Sequence, residues 1–381
     1  MSKVVVIGAF AESLVNFRGD LIKSLVAAGH EVSAMAGHSD DATRLRIETL
    51  GASFRSYPVQ RNGMNPISDL TTFLALRAAF IDLKPDIVLS YTIKPVIWGG
   101  MAMRSLGSTA WFYALITGLG LAFQPGGIKQ KLITGLVTRL YRWSLIRATK
   151  VIFQNQDNRQ VFEDRQIVEA ERCVVVSGSG VNLDHFGLSP LPQGKVVFLS
   201  IARLLGAKGL REYAQAAKIV RERYPNADFY LVGPEDPSPD NIPLSEVVTW
   251  KSSGVLQYFG ETKDVRPFIE QSNVYVLPSY YEGMPRTVLE AMAMGRPIIT
   301  TDVPGCRETV VDGDNGFLVP VKDVDALAAA MEKFILKPEL IGKMGKRSRA
   351  IAEEKYDVHK VNKVIIQAMG LLDEKPVNEL S

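Results

Sequence analysis

Glu282 and Glu290 stand eight residues apart in the run Tyr281-Glu282-Gly283-Met284-Pro285-Arg286-Thr287-Val288-Leu289-Glu290. Two carboxylates can serve as acid and base, or can accept hydrogen bonds from a ligand rich in hydroxyls. Their setting favours the second use. An apolar run at 274–277 reads as a buried strand ending at Pro278. A helical stretch then stops at Gly295 and Pro297, before a second apolar run at 298–300. One carboxylate lies on the loop beyond a strand, and the other about two turns into the next helix. Ligands of α/β proteins bind at the carboxyl ends of parallel strands. Gly283 permits close approach of backbone to a ligand, and Pro285 suits the first turn of a helix.

A second constellation is cationic. The segment Ser200-Ile201-Ala202-Arg203-Leu204-Leu205-Gly206-Ala207-Lys208-Gly209 follows a strand and opens a helix. Arg203 and Lys208 beside the free N–H groups of a helix start make a diphosphate site. Such cations also stabilise a diphosphate as it leaves with growing negative charge. The alternative is a solvated loop. Lys94, just past a strand at 86–90, is placed to grip an acceptor diphosphate or to lie idle on the surface.

The elements that carry these residues alternate. Strands are expected at 4–7, 31–36, 86–90, 150–154 and 173–177, with helices at 17–29 and 69–83. A stretch rich in Gly, Pro and Ser at 187–194 reads as a linker. The pattern then restarts, with strands at 196–200, 228–232, 256–259, 274–277 and 298–300 and a helix at 209–224. Strand–helix alternation predicts doubly wound parallel sheets, hence an α/β chain of two Rossmann-like domains with a cleft between them. The expected division is 1–186, 187–360, and a helix and tail at 361–381 that either closes the second domain or crosses back to the first.

Length and composition bound the rest. The 381 residues are 46% apolar, and there is no long purely apolar run of membrane-spanning type. The N-terminus enters a strand almost at once, so no secretory signal is expected. Cys173 and Cys306 are read as reduced and structural, and the four histidines form no ligand cluster. Charge is unevenly spread: residues 1–182 hold 20 basic and 14 acidic groups, and no acidic residue lies between Asp86 and Asp157. The first half is therefore expected to meet something anionic. Within it, 129–150 reads as a basic amphipathic helix. Leu132, Leu136, Leu140 and Trp143 share a face, with Trp143 and Tyr141 set for headgroup depth at an anionic membrane. The alternative packs that apolar face on the sheet. Asp312-Gly313-Asp314 has the spelling of a metal-bound donor site but reads as a turn, and no metal or other cofactor is expected. No nucleic-acid partner is expected.

Together, the Arg203–Gly209 segment, the Glu282/Glu290 run and the stretch Glu308-Thr309-Val310-Val311-Asp312-Gly313-Asp314-Asn315-Gly316-Phe317-Leu318-Val319 resemble the retaining GT-B glycosyltransferases of family 4. The resemblance covers nearly the whole chain. It implies that Arg203 and Lys208 bind the donor diphosphate and that Glu282 contacts the donor sugar. Gly283, Met284 and Pro285 would lie against sugar and phosphate, Thr287 and Val288 would line the nucleotide, and Glu290 would accept from the ribose. In the first half, Ser13–Gly19, Tyr91–Pro95, Ile116–Gly120, 153–155 and 178–182 resemble a bacterial subgroup. Its members transfer N-acetylgalactosamine or similar sugars to undecaprenyl-diphosphate-linked acceptors. Asn16, Arg18, Lys94 and Thr117 are the residues it implies for the acceptor. Relatives carry a histidine near Thr117 that touches the donor's sixth hydroxyl. This chain has no histidine between His38 and His185, so Thr117 or a backbone group stands in its place.

The expected function is a retaining transferase acting in the cytoplasm on the inner face of the membrane. It would move an N-acetylhexosamine from a UDP donor to a lipid-diphosphate-linked sugar. The alternatives are a soluble acceptor, a nucleotide-sugar epimerase, or a non-catalytic sugar-nucleotide-binding subunit. An epimerase needs catalytic acids and histidines that the histidine-poor first half does not offer. The four residues Arg203, Lys208, Glu282 and Glu290 together argue against a non-catalytic subunit.

Overall fold

A computed structural model describes residues 1–60, 63, 65–123 and 126–372; the predicted tail beyond 372 lies outside these. The chain divides into two compact units: Met1–Ser179 with the chain from His359 on, and Gly180–Val358. In order, the first holds β1 (Lys3–Ile7), α1 (Ala11–Ala27), β2 (Glu31–Ala36), α2 (Asp41–Thr49), β3 (Ser53–Ser56), α3 (Pro66–Leu83) and β4 (Ile87–Tyr91). It continues with α4 (Ile93–Ser105), β5 (Trp111–Ile116), α5 (Ile128–Leu145), β6 (Ala148–Phe153), α6 (Gln156–Asp164) and β7 (Cys173–Val175). The seven strands pair in parallel in the order β3-β2-β1-β4-β5-β6-β7.

The second unit holds β8 (Val197–Ile201), α7 (Leu210–Arg223), β9 (Asp228–Val232), α8 (Leu244–Ser252), β10 (Gln257–Tyr258), α9 (Arg266–Glu270) and β11 (Val274–Leu277). It ends with α10 (Arg286–Ala293), β12 (Ile298–Thr301), β13 (Gly316–Val319), α11 (Val324–Leu336) and α12 (Glu339–Ile351), after which α13 (Val358–Ala368) follows. Its six strands are also parallel, in the order β10-β9-β8-β11-β12-β13.

A parallel sheet must be covered on both faces, which is why its central strands are apolar without alternation. β4, β8 and β11 are buried throughout. The first sheet packs α3, α4 and α5 over one face through Leu76, Val96, Val137 and Tyr141. The other face takes Leu14 and Leu21 of α1. The last helix packs there too: Ile365 and Met369 join that core, and Tyr113 Oη donates to the Met369 carbonyl at 3.0 Å. In each sheet the strand order reverses beside the first strand of the unit, between β1 and β4 and between β8 and β11. Ligands of doubly wound sheets bind at such switch points.

The structure corrects one local expectation and adds two local features. α1 begins at Ala11 rather than near residue 17, because Leu14, Leu21 and Leu25 already carry a helical buried face. β5 was not predicted, although it is central in the first sheet. The linker stretch at 187–194 is fastened to the second unit: Arg296 donates to the Ser189 and Pro190 carbonyls at 2.9 and 3.0 Å.

Candidate active site

The site in the second unit is built where the loops after β8 and β11 touch. Gly209 makes the contact possible. It has φ +69°, and a Cβ there would lie 2.0 Å from the Pro278 carbonyl oxygen, so only glycine fits. The two loops then hydrogen-bond. Tyr280 N–H donates to the Ala207 carbonyl at 2.8 Å, and Ser279 Oγ donates to the same oxygen at 3.1 Å. This closure brings Lys208 Nζ within 2.5 Å of Glu282 Oε1, with both side chains largely covered.

A third loop, after β12, backs Glu282. Glu282 N–H donates to the Pro304 carbonyl at 3.2 Å. Gly305, at φ +83°, lets that loop lie close, since a Cβ there would meet the Glu282 carbonyl oxygen at 2.5 Å. Gly305 is the left-handed glycine at this crossing. Cys306 lies beside it. Burial, then the charge of Glu282, pushes its thiol up to about 12, so it stays a neutral, inert thiol at physiological pH.

The other predicted cation, Arg203, is 44% exposed at its side chain and ion-paired to the nearly buried Asp236. Glu290 sits a turn inside α10, 7% exposed, and Oε1 accepts from Arg286 Nε at 2.8 Å. Burial raises its carboxyl above the ordinary range, with Arg286 pulling the other way. Thr287 is held by Tyr275, whose hydroxyl hydrogen-bonds Thr287 Oγ1 at 2.6 Å. Val288 is a correction: it is 0% exposed and belongs to the core, so its side chain lines no nucleotide. Pro285 is the residue preceding α10 rather than its first turn, and Met284 packs partly on the same core.

A raised carboxyl has a pH signature. A carboxyl whose pKa rises on folding favours the fold most below its unfolded value, and that contribution is lost as pH climbs through its folded value. Glu290→Gln removes the titration. The stability of this variant relative to the parent should therefore improve as pH rises across that window. Urea midpoints measured from acid to neutral pH check this; a pH-independent difference would contradict it.

In the first unit, Tyr91 ends β4, and Thr92 and Lys94 stand past its carboxyl end. Lys94 Nζ lies 2.8 Å from Asp69 Oδ1, and both side chains are mostly covered. Thr92 precedes α4 at φ +68°, a strained backbone for a β-branched residue. Arg18 is a correction. The longer α1 places it inside the helix, 1% exposed, with its guanidinium 5.3 Å from the Tyr91 ring centre. Its guanidinium packs on the Tyr91 ring at the carboxyl end of β4. Asn16 is exposed and accepts from Arg46 Nη2 at 3.2 Å. Thr117 is half-buried; with the Gln154 amide turned to satisfy its neighbours, that side chain bridges the Thr117 carbonyl, Ser179 and Arg18. Asp312 and Asp314 serve a turn: Asp312 accepts from Leu318 N–H at 2.9 Å, and Asp314 pairs with Arg347 at 2.7 Å.

Two family matches tile most of the chain: "Glycosyl transferase 4-like domain" over residues 16–178 and "Glycosyl transferases group 1" over 195–337. The chain is a GT-B glycosyltransferase. Among curated relatives it is 29% identical over 329 residues to a Campylobacter jejuni enzyme, covering 83% of this chain and 85% of that one. That enzyme is the N,N'-diacetylbacillosaminyl-diphospho-undecaprenol α-1,3-N-acetylgalactosaminyltransferase. It is 26% identical to the Escherichia coli UDP-Gal:α-D-GlcNAc-diphosphoundecaprenol α-1,3-galactosyltransferase, over 76% of this chain and 77% of that one. Among solved structures, Anabaena HepE in complex with UDP-glucose superposes with TM-score 0.77 at 17% identity, covering 98% and 100% of the two chains. Sucrose-phosphate synthase from Thermosynechococcus elongatus superposes with TM-score 0.77 at 18% identity, covering 96% and 98%. These structures share the fold.

The glycosyltransferase presents α5 differently from expectation in one respect. Tyr141 is buried, with its ring 5.0 Å from that of Phe162, so it is a core residue rather than an interfacial one. Leu132, Leu136 and Trp143 are exposed, as are Ile128 and Ile146. Lys129, Lys131, Arg139 and Arg147 are exposed beside them, and α5 carries no acidic residue. No helix among the described residues is long and apolar enough to cross a membrane.

Several site residues of the glycosyltransferase escaped the sequence reading. Arg286 had a signal, since Arg and Glu four apart on a helix pair readily. Asp69 and Asp236 had none, because their partners are distant in the chain.

Proposed function

We propose that the enzyme transfers an N-acetylhexosamine from a UDP donor to a lipid-diphosphate-linked sugar, with retention, at the inner face of the cytoplasmic membrane. The observation that carries this reading is the Lys208–Glu282 pair at the β8/β11 switch point, with Arg203 on the same loop as Lys208. An ammonium held 2.5 Å from a carboxylate sets a cation for a departing diphosphate next to an acceptor for sugar hydroxyls. The Campylobacter and Escherichia coli relatives, whose names specify undecaprenol-diphosphate-linked acceptors, support the acceptor class. The UDP-glucose complex of HepE supports the donor class.

In this reading the acceptor hydroxyl oxygen bonds to the anomeric carbon as that carbon's bond to the diphosphate oxygen breaks. The bonding electrons leave with the diphosphate, and one of its oxygens takes the acceptor's proton. Lys208 and Arg203 balance the charge that develops, which is the reason to expect turnover without a metal. Glu290, with Arg286 on one oxygen, accepts from the ribose. Lys94, on α4 in the first unit, meets the acceptor diphosphate, with Thr117 past the end of β5 and Asn16 on the exposed side of α1.

The membrane surface would be α5, whose exposed apolar line is bordered by lysines and arginines. Such a helix lies in the interface of an anionic bilayer. α4 packs between α3 and α5 on one face of the sheet, and α3 adds exposed Ile67, Leu70, Leu74 and Ile81 to that face. Changing both Leu132 and Trp143 to Glu should weaken binding to phosphatidylglycerol vesicles by about tenfold or more, because two anchors become anions at a negative surface. Equal flotation of variant and parent would remove α5 from the interface.

A panel of nucleotide sugars tests the whole reading. Nucleotide release should appear with a UDP-N-acetylhexosamine, depend on added membrane lipid extract, and persist in EDTA. Release that needs no lipid would replace the acceptor class, and release abolished by EDTA would overturn metal independence.

A further inference from the structure

The loop after β9, residues 233–243, grips the diphosphate loop along its length. Leu204 N–H donates to the Pro234 carbonyl at 2.9 Å, and Ile242 N–H donates to the Leu204 carbonyl at 2.8 Å. Gly206 N–H donates to the Asp240 carbonyl at 2.9 Å, while Ala207 N–H reaches the Asp240 carboxylate at 2.8 Å. The Gly206 position leaves room for that carboxylate, since a Cβ would lie 2.8 Å from Asp240 Oδ1. One contact in this set is a side-chain pair: Arg203 Nη1 donates to Asp236 Oδ2.

The two partners differ in a telling way. The Asp236 residue is 8% exposed, and its other oxygen accepts from Ser238 N–H at 3.0 Å, so the carboxylate has one orientation. Burial pushes its pKa up, but the Ser238 hydrogen bonds and the Arg203 charge outweigh this and hold it below the ordinary carboxylate range. It is therefore an anion at any physiological pH. Arg203 is the exposed partner. A free arginine side chain loses about 2 kcal/mol of rotamer entropy when a ligand orders it. Asp236 takes one of five guanidinium N–H donors and leaves the others to a ligand.

We propose that Asp236 is the positioning residue for Arg203: it pre-orders the guanidinium so that the remaining donors meet the donor diphosphate. The role rests on the diphosphate reading of Arg203 given above. Asp236 touches no substrate and acts only through the arginine. Nothing about a Pro-Glu-Asp-Pro sequence marks it; its loop is joined to the diphosphate loop only in three dimensions.

Inorganic pyrophosphate is the probe, because it carries the diphosphate without base or sugar. Calorimetric titration of the full chain should show pyrophosphate binding that Asp236→Asn weakens by about tenfold, the scale of one hydrogen bond to a charged group. Asparagine keeps the acceptor for Ser238 N–H, so the thermal midpoint should stay close to the parent's. Asp236→Glu, which restores the charge, should recover part of the loss. In an Arg203→Ala background, Asp236→Asn should have no further effect. A purely structural Asp236 would weaken binding by the same factor in both backgrounds, with a lowered midpoint, and would overturn the proposal. So would unchanged binding in Asp236→Asn. Absence of pyrophosphate binding by the unaltered protein would overturn the diphosphate site itself, and the positioning role with it.

Discussion

Lys208→Ala should lower turnover by about 100-fold or more, the usual cost of removing one preorganised contact to charge that develops in the transition state. The ammonium has a fixed place because Gly209 lets the β8 loop lie on Pro278, and Glu282 then holds Nζ at 2.5 Å. Alanine removes the cation and leaves Glu282, a largely covered carboxylate, beside the departing diphosphate. Attraction at that point becomes repulsion. The effect should fall mainly on kcat, since charge on the bridging oxygen grows as the bond breaks. Lys208→Arg should recover only part of the activity, because a planar guanidinium is not a point charge. Steady-state rates of nucleotide release on the donor found by the panel decide it. Near-parental turnover in Lys208→Ala would remove the diphosphate assignment.

The second large effect is on stability. Arg296→Met should cost about 3 kcal/mol or more, read as a lowered urea midpoint, through the polar groups it strands in the interior. The Arg296 guanidinium is wholly buried and surrounded by main-chain oxygens. Nε donates to the Ile269 and Ser272 carbonyls at 3.0 and 2.9 Å. Nη1 reaches Ser189 and Met294 at 2.9 and 2.6 Å, and Nη2 reaches Pro190 and Glu270 at 3.0 and 3.1 Å. Burial lowers its pKa to about 10, so it remains charged at neutral pH. Methionine fills similar volume but donates nothing, and six carbonyls lose a donor at once. The 189–190 segment would come away from the second unit first, and the end of α9 would loosen with it. An unchanged urea midpoint would show that water replaces those donors at little cost.

The two effects lie at different depths of legibility. Lys208 and Glu282 were both singled out by residue type and by position after a strand. Arg296 was not, although Gly295 and Pro297 on either side were recognised as a helix stop. A buried arginine that binds only backbone leaves no partner in the sequence to find. Val288 and Arg18 failed for a related reason. Each stands where a motif places a ligand, but neither its side chain's direction nor its cover is local information. Tyr141 failed because an apolar helix face and an interfacial one have the same spacing. The packing of Phe123 and Phe162 against it decided which it was.

By itself the sequence determined the two βα series, the parallel sheets, and the strand–loop–helix units that deliver Arg203, Lys208, Glu282 and Glu290. These follow from periodicity and from glycine and proline punctuation, which act over a few residues. The tertiary structure alone decided which charges meet. Lys208 and Glu282 are 74 residues apart, and Arg203 and Asp236 are 33 apart. Those pairings depend on loops from separate strands abutting at the carboxyl end of one sheet, through positions such as Gly209 that no local pattern marks as a contact. The same holds for Lys94, whose ammonium is set by Asp69 on the preceding helix. Local chemistry chose the residues of the site, and sheet order brought them into reach of one another.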